Sequence, residues 1–96
     1  MSSAIDLASA WRDLFQNWPK GITQNGVLIT AFDEQIPYEA FMASDAMLIV
    51  SRKTPDTVGA RKVIVAYEHV RGVKIVDVID GKPFEEVGFK GTLPRK

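Results

Sequence analysis

The order of apolar and polar residues divides the chain into one helical segment followed by several strands. Over residues 3–18, apolar side chains recur at spacings of three and four, which is the period of an amphipathic α-helix. Ser3 is the expected N-cap, with Asp6 at the third helical position. Trp11 and Trp18 fall on the apolar face, so we expect both of them to anchor the helix on a sheet.

Residues 26–79 consist of short runs of β-branched and aromatic residues separated by turn residues, which predicts five antiparallel strands. The runs are GVLITAF, IPYEAFMA, AMLIVSRK, RKVIVAY and VKIVDVI. Short connections between such strands are typical of a small barrel or sandwich. The tail, residues 80–96, is rich in Gly and Pro and is expected to be irregular. We therefore predict a single, mainly β domain over residues 1–96, in which an N-terminal helix precedes a small five-stranded antiparallel barrel.

Two of the predicted strands carry apolar residues on both faces, namely AMLIV and VIVAY. A thin barrel buries only one face of each strand, so the second face needs another cover. We therefore expect a homo-oligomer in which edge strands pair between copies of the chain. The residues predicted to be buried in this interface are Val63, Val65, Val73 and Ile75.

The composition is that of an ordinary globular protein, with 46% hydrophobic and 25% charged residues in a chain of 96. The absence of cysteine excludes disulfides, thiolate metal sites and cysteine nucleophiles. A single histidine argues against a zinc or iron site, and no cofactor is predicted. The chain shows neither a secretory signal nor an apolar run of about 20 residues, so we expect a cytoplasmic protein with no membrane partner.

Charge is distributed unevenly although the net charge is zero. Residues 1–48 carry two basic and six acidic side chains, a net charge of −4, whereas residues 49–96 carry ten basic and six acidic ones, a net charge of +4. Such asymmetry is typical of an anion-binding face. It is equally compatible with two halves of one domain that attract each other.

A pair of basic dipeptides flanks the predicted turn TPDTVGA between the third and fourth strands. Arg52-Lys53 ends one strand and Arg61-Lys62 begins the next, so the cations face one another across a hairpin, where like charges are destabilising. One interpretation is that the side chains splay into water while their stems cover apolar surface. The other is that, repeated around an oligomer, they form a ring of positive charge to which a polyanion binds.

No constellation of catalytic residues is present. The only histidine, His69, lies in the triplet Tyr67-Glu68-His69 without a nucleophile or a second base, so enzymatic activity is not expected. The acids Asp33, Glu34 and Glu39 are interpreted as the solvated tip of a hairpin.

Two segments resemble the signature motifs of the Sm-like superfamily, and most closely those of the Hfq family of bacterial RNA chaperones. YEAFMASDAMLIV, residues 38–50, is similar to the first signature, in which an aspartate follows the kink of a long bent strand. IVAYEHVRGVKIV, residues 64–76, is similar to the second, which in the Hfq family contains a Tyr-Lys-His triplet. The resemblance implies a helix-capped barrel, rings in which strand four of one subunit pairs with strand five of the next, and single-stranded RNA as a partner.

Within this resemblance, Tyr67 and His69 occupy the positions of the triplet's tyrosine and histidine. Glu68 stands where the Hfq family has lysine, and a carboxylate repels phosphate. Arg71 with Gly72 resembles the Arg-Gly of other Sm-like proteins. The alternative is that Tyr67 is an inward-facing or interface aromatic residue and that His69 is a turn residue that bonds a backbone carbonyl. The candidate RNA- or anion-binding residues are Arg52, Lys53, Arg61, Lys62, Tyr67, His69 and Arg71.

Two functions are therefore compatible with the sequence. The first is an oligomeric Sm-like protein that binds single-stranded RNA, which the basic second half and the resemblance favour. The second is a protein-interaction or scaffold module with the same barrel and no nucleic-acid binding. Zero net charge and Glu68 favour this second function.

Overall fold

The computed structural model describes residues 6–77, 79 and 81–94. These residues form one α-helix, six β-strands and two 3₁₀ helices, named η1 and η2. In chain order the elements are α1 (Leu7–Gln16), β1 (Gly26–Thr30), β2 (Gln35–Tyr38), β3 (Ala40–Ala43), β4 (Met47–Ser51), β5 (Lys62–Ala66), η1 (Tyr67–His69), β6 (Val70–Lys74) and η2 (Lys82–Val87).

The strands form two three-stranded antiparallel sheets, with strand orders β2–β1–β6 and β3–β4–β5. A mainly β architecture with an N-terminal helix is therefore confirmed. The prediction of a five-stranded barrel was wrong in its strand number, and within the described part of the chain the pairing does not close into a barrel.

The extra strand arises because the predicted second strand bends at Glu39 and contributes to both sheets. Tyr38 pairs with Gly26 in the first sheet, whereas the backbone N–H of Glu39 donates to the carbonyl of Ser51, 2.8 Å away, in the second. Local sequence pattern cannot show this bend, because the residues on its two sides pair with segments distant from each other in sequence.

The core lies between the inward faces of the two sheets. In β1 and β4 every second residue is buried, and Leu28, Leu48 and Val50 are completely inaccessible to solvent. Ile36 from β2 is also buried. Burying one such aliphatic side chain contributes about 1.5–3 kcal/mol, so the alternating pattern of these short strands stabilises the stacked sheets.

The helix covers one part of this core with aromatic side chains. Phe15 is buried, and its ring lies 5.5 Å from that of Trp18 and 5.0 Å from that of Phe41 in β3. The Nε1–H of Trp18 donates to the carbonyl of Ile22 at 3.1 Å. Trp11 is half-buried against the same core. Trp11 within α1 and Trp18 just after its end therefore both pack against the core.

The start of the helix differs from the prediction. The described helix begins at Leu7, with Asp6 as its N-cap rather than its third residue. Ser3, the predicted N-cap, lies outside the described residues. At the other end the helix stops at Gln16, two residues before the predicted end at residue 18.

The tail that was expected to be irregular contains the short helix η2. Gly88 follows it with a φ of 100°, a left-handed conformation that glycine adopts without steric cost. The last strand, β6, ends at Lys74, so the predicted strand residues Ile75 and Val76 lie beyond it.

Candidate nucleic-acid interface

The β4–β5 hairpin carries four of the predicted anion-binding residues. The backbone N–H of Arg52 donates to the carbonyl of Arg61 at 2.7 Å, so these two residues lie opposite each other. Lys62 faces Ser51 instead of another cation. The expected opposition of like charges is therefore confined to one arginine pair, which reduces the repulsion within the hairpin.

Asp56 holds the hairpin loop in one conformation. Its Oδ1 accepts hydrogen bonds from the N–H groups of Ala60, at 2.8 Å, and Val58, at 2.9 Å. The bond from Ala60 is the largest of the effects that lower the pKa of this carboxyl below its ordinary value. The Nε–H of Arg52 donates to the carbonyl of Thr54 at 3.0 Å. The loop is thus ordered by its own residues.

The other three cations of the hairpin, Lys53, Arg61 and Lys62, are exposed. The loop also presents Val58, which is 85% exposed. The result is a positively charged hairpin end that is exposed to solvent.

Tyr67, the first residue of the triplet, is a structural residue. Its side chain is buried, and its hydroxyl donates to the carbonyl of Ser44 at 2.7 Å. Burial raises the pKa of the phenol. A tyrosine fixed in this way has no free ring face on which a base could stack. In the single chain, the ring of Tyr67 is therefore part of the core and not of the surface.

A polar cleft of about 270 Å³ lies beside Tyr67, between the start of α1 and η1. The charged residues that line it are Asp6, Arg12, Asp45 and Glu68. Three carboxylates and one guanidinium make the cleft acidic, and such a lining repels phosphate. Glu68 of the triplet is therefore accompanied by two further acids, Asp6 and Asp45.

Sequence reasoning missed this cleft because its residues are distant from one another along the chain. The side-chain amide of Gln16 in α1 donates to Asp45 Oδ1 at 3.0 Å, which fixes the β3–β4 turn against the helix. Only the packing of α1 on the second sheet brings these residues together, and no local motif marks them.

His69 lies at the end of η1, and its backbone links η1 to the first sheet. Its carbonyl accepts the N–H of Ala31 at 2.7 Å. Its ring centroid is 5.3 Å from that of Phe32, with the ring planes inclined at 39°. Phe32 was not among the predicted site residues, although an aromatic residue next to Asp33-Glu34 in a polar turn was a visible signal.

Arg71 occupies an irregularity in the pairing of β1 with β6. Ile29 pairs with Gly72 and Thr30 pairs with Val70, so Arg71 is left between them as the extra residue of a bulge. Bulges commonly redirect a side chain away from the sheet. The side chain of Arg71 is exposed.

The four residues predicted to form the oligomer interface differ in how deeply they are buried. Val65 is 9% exposed and belongs to the core of the single chain, so it is not reserved for a partner. Val63 and Val73 are half-buried and pack against that core. Ile75 is half-buried just after β6. The apolar residue of β5 that is exposed is Ile64, at 61%.

The candidate RNA-binding residues thus fall into separate places instead of one site. The cations of the hairpin lie before or at the first residue of β5, and the triplet follows its last residue. A strand rises about 3.3 Å per residue, so the two ends of β5 are roughly 13 Å apart. Tyr67 lies in the core, and His69 and Arg71 lie beside the β1–β2 turn.

Other classes of site were also considered. Among the described residues, no group of three or more His, Cys, Asp or Glu side chains is arranged to hold a metal ion. In the same part of the chain, no helix has the length and hydropathy needed to cross a membrane.

No protein-family model matches this chain, and no curated protein or solved structure matches it either. Functional inference therefore depends on the residues and geometry described above.

Proposed function

We propose that the protein is a self-assembling Sm-like module that binds single-stranded RNA through the cations of the β4–β5 hairpin. The observation that carries the proposal is the strand order. It leaves β5 and β6 each at the end of a sheet, and the basic hairpin leads directly into β5.

The assembly part of the proposal follows from backbone pairing. An edge strand presents unpaired N–H and C=O groups, which another strand can pair with. Pairing β5 of one copy with β6 of the next gives the same contact at every interface. Such a contact produces a ring when the rotation between copies closes.

The RNA-binding part follows from repetition of the hairpin. Each copy contributes Arg52, Lys53, Arg61 and Lys62, so an assembly presents many cations for a phosphate backbone. Contacts of this kind hold a nucleic acid without reading its sequence. The acidic cleft beside Tyr67 is unsuited to phosphate, so the hairpin rather than the triplet is the phosphate-binding surface in this proposal.

Salt dependence of RNA binding tests this proposal. Binding of a fluorescent single-stranded RNA should weaken steeply with salt, with a slope of about −0.7 in log K per phosphate neutralised. Changing Arg61→Gln and Lys62→Gln together should reduce both the affinity and the slope, while the oligomer stays intact.

The control replaces two exposed lysines outside the hairpin, Lys20→Gln and Lys90→Gln, and removes the same charge. Equal losses in the two double variants would show that net charge, not the hairpin, binds RNA. No binding by the wild type at low salt would eliminate the RNA part of the proposal.

The scaffold module is the second candidate function, and the acidic cleft favours it. It predicts the same assembly without bound nucleic acid. The ultraviolet absorbance spectrum of protein purified without nuclease separates the two candidates, because co-purified RNA raises the absorbance at shorter wavelength.

A further inference from the structure

The β1–β2 turn holds Phe32 in a fixed position at the surface. The N–H of Phe32 donates to Thr30 Oγ1 at 3.3 Å, and the N–H of Asp33 donates to the carbonyl of Thr30 at 3.0 Å. Asp33 has a φ of 61°, a left-handed conformation that aspartate tolerates better than most residues. The N–H of Ala31 is bound by His69. The position of Phe32 is therefore set by backbone bonds.

This fixed position leaves an aromatic ring in water. Phe32 is 74% exposed, so the turn gains little from burying it. A turn of this kind is ordinarily occupied by Gly, Asn, Asp or Ser, which adapt to it through small or hydrogen-bonding side chains. The one aromatic neighbour of Phe32 among the described ring pairs is the ring of His69. Phe32 is exposed and the ring of His69 beside it is half-buried, and together they form the kind of aromatic surface on which nucleic-acid-binding proteins stack unpaired bases.

The bulge in β6 carries an exposed cation close to His69 in the sequence. Arg71 follows His69 by two residues and is exposed. A guanidinium is able to stack on a base or to bind a phosphate. Asp33 and Glu34 in the same turn are also exposed and repel phosphate. Because two exposed carboxylates share the turn with Phe32, this surface favours the uncharged face of a base over a phosphate.

We propose that Phe32 and His69 form a stacking platform for one unpaired nucleobase, with Arg71 as its neighbouring cation. As a site for RNA, the platform rests on the proposed function. It adds a base contact to the phosphate contacts of the hairpin.

The platform is tested with adenosine, which has a large base and no phosphate, so that its binding does not depend on the hairpin cations. Nuclear magnetic resonance of the labelled protein should show adenosine-dependent shifts of the Phe32 and His69 ring signals. The shifts at His69 should disappear in Phe32→Ala. They should persist in the control Phe89→Ala, which removes another exposed phenylalanine that also contacts a ring, that of Phe84.

Binding of single-stranded RNA supplies the second measurement. Loss of one base–aromatic stack should weaken binding about tenfold in Phe32→Ala and leave the salt slope unchanged. The Phe89→Ala control should bind as the wild type does. By contrast, the hairpin variants change the slope.

The outcomes separate the platform from the proposed function. Ring signals that do not move with adenosine, or RNA binding that is equal in the two alanine variants, overturn the platform even if the wild type binds RNA. Adenosine-dependent ring shifts in a protein that binds no RNA would support the platform and overturn the hairpin proposal.

Discussion

Tyr38 is buried although, within the described part of the chain, no hydrogen bond replaces the water lost by its hydroxyl group. Its side chain is 4% exposed, and its hydroxyl has no hydrogen-bond partner within the described residues. Burial raises the pKa of this phenol to about 12. Gly26 lies opposite it, and a Cβ at this position would come within 3.1 Å of the hydroxyl and 2.6 Å of the Lys74 carbonyl oxygen. Glycine is therefore required at this position chiefly by the close approach of the β6 backbone, with the Tyr38 hydroxyl as a second tight neighbour.

Replacing Tyr38 with Phe should leave the free energy of unfolding unchanged or raise it by up to about 1 kcal/mol, because an unsatisfied buried hydroxyl is removed. Urea denaturation measures the change. The control Tyr67→Phe breaks the bond to Ser44 and should cost about 0.5–1.5 kcal/mol. If Tyr38→Phe costs as much as the control, the hydroxyl has a partner.

Tyr38→Phe should also change how the free energy of unfolding depends on pH under alkaline conditions. The folded pKa of Tyr38 is raised above its ordinary value of 10.0, so the wild type keeps its stability below pH 10 and loses it as pH rises towards about 12. Tyr67, whose pKa is also raised, contributes in the same direction. Tyr38→Phe should therefore retain only part of this alkaline dependence.

At the scale of the elements, the start of α1 is fixed by hydrogen bonds to its N-cap, Asp6. Asp6 Oδ2 accepts the hydroxyl of Ser9 at 2.9 Å, and Oδ1 accepts the N–H of Ala8 at 3.1 Å. These bonds, that from Ser9 first, lower the pKa of the carboxyl below its ordinary value of 3.8. The cap therefore fixes where the helix starts and contributes a pH-dependent part of its stability.

We expect Asp6→Ala to destabilise the protein and to fray the start of α1, whereas Asp6→Asn should retain most of the cap because asparagine also accepts the N–H bond. Since the folded pKa is lowered, the wild-type carboxylate stabilises the fold above pH 3.8 and loses this effect as pH falls through the folded pKa. Asp6→Asn should lose this acid dependence. Denaturation midpoints measured against pH provide the check, and identical acid profiles for wild type and Asp6→Asn would contradict it.

At the scale of the whole molecule, the free edge of β5 has a defined pattern of donors. Arg52 and Arg61 share a backbone bond, and opposed residues alternate between bonded and non-bonded pairs in an antiparallel ladder. Val63 and Val65 therefore bond to β4, and the N–H and C=O of Ile64 point away from it. Ile64 is the residue through which a second copy would pair.

This geometry allows a selective test of assembly. Ile64→Pro removes a donor that β4 does not use, and proline is accepted at such edge positions. Light scattering of the wild type should give a mass several times 10.7 kDa, and Ile64→Pro should give a smaller assembly with unchanged circular dichroism.

The control Ile64→Thr keeps the N–H and a β-branched side chain, so it should assemble as the wild type does. A monomeric wild type at micromolar concentration would contradict edge pairing. So would a proline variant that assembles normally.

The helix and most strand positions could be predicted because local periodicity reports which residues face a core. Leu28, Leu48 and Val50 alternate with more exposed neighbours in the sequence and in the structure. The hairpin at TPDTVGA could also be predicted from local sequence. Asp56 accepts hydrogen bonds from backbone groups of its own loop, and Gly59 adopts a positive φ. The candidate cations were visible too, but their separation from Tyr67 was not.

The sequence by itself determined the helix, most of the strand segments and the hairpin turns, because these choices depend on neighbours a few residues away. Only the tertiary structure decided that the chain bends at Glu39 and contributes to two sheets. Tyr38 pairs with Gly26 in one sheet, whereas Glu39 bonds to Ser51 in the other. The tertiary structure also decided that Val65 is a core residue and that Phe32 meets His69. Contacts between distant segments form only when the sheets pack, and no local pattern encodes them.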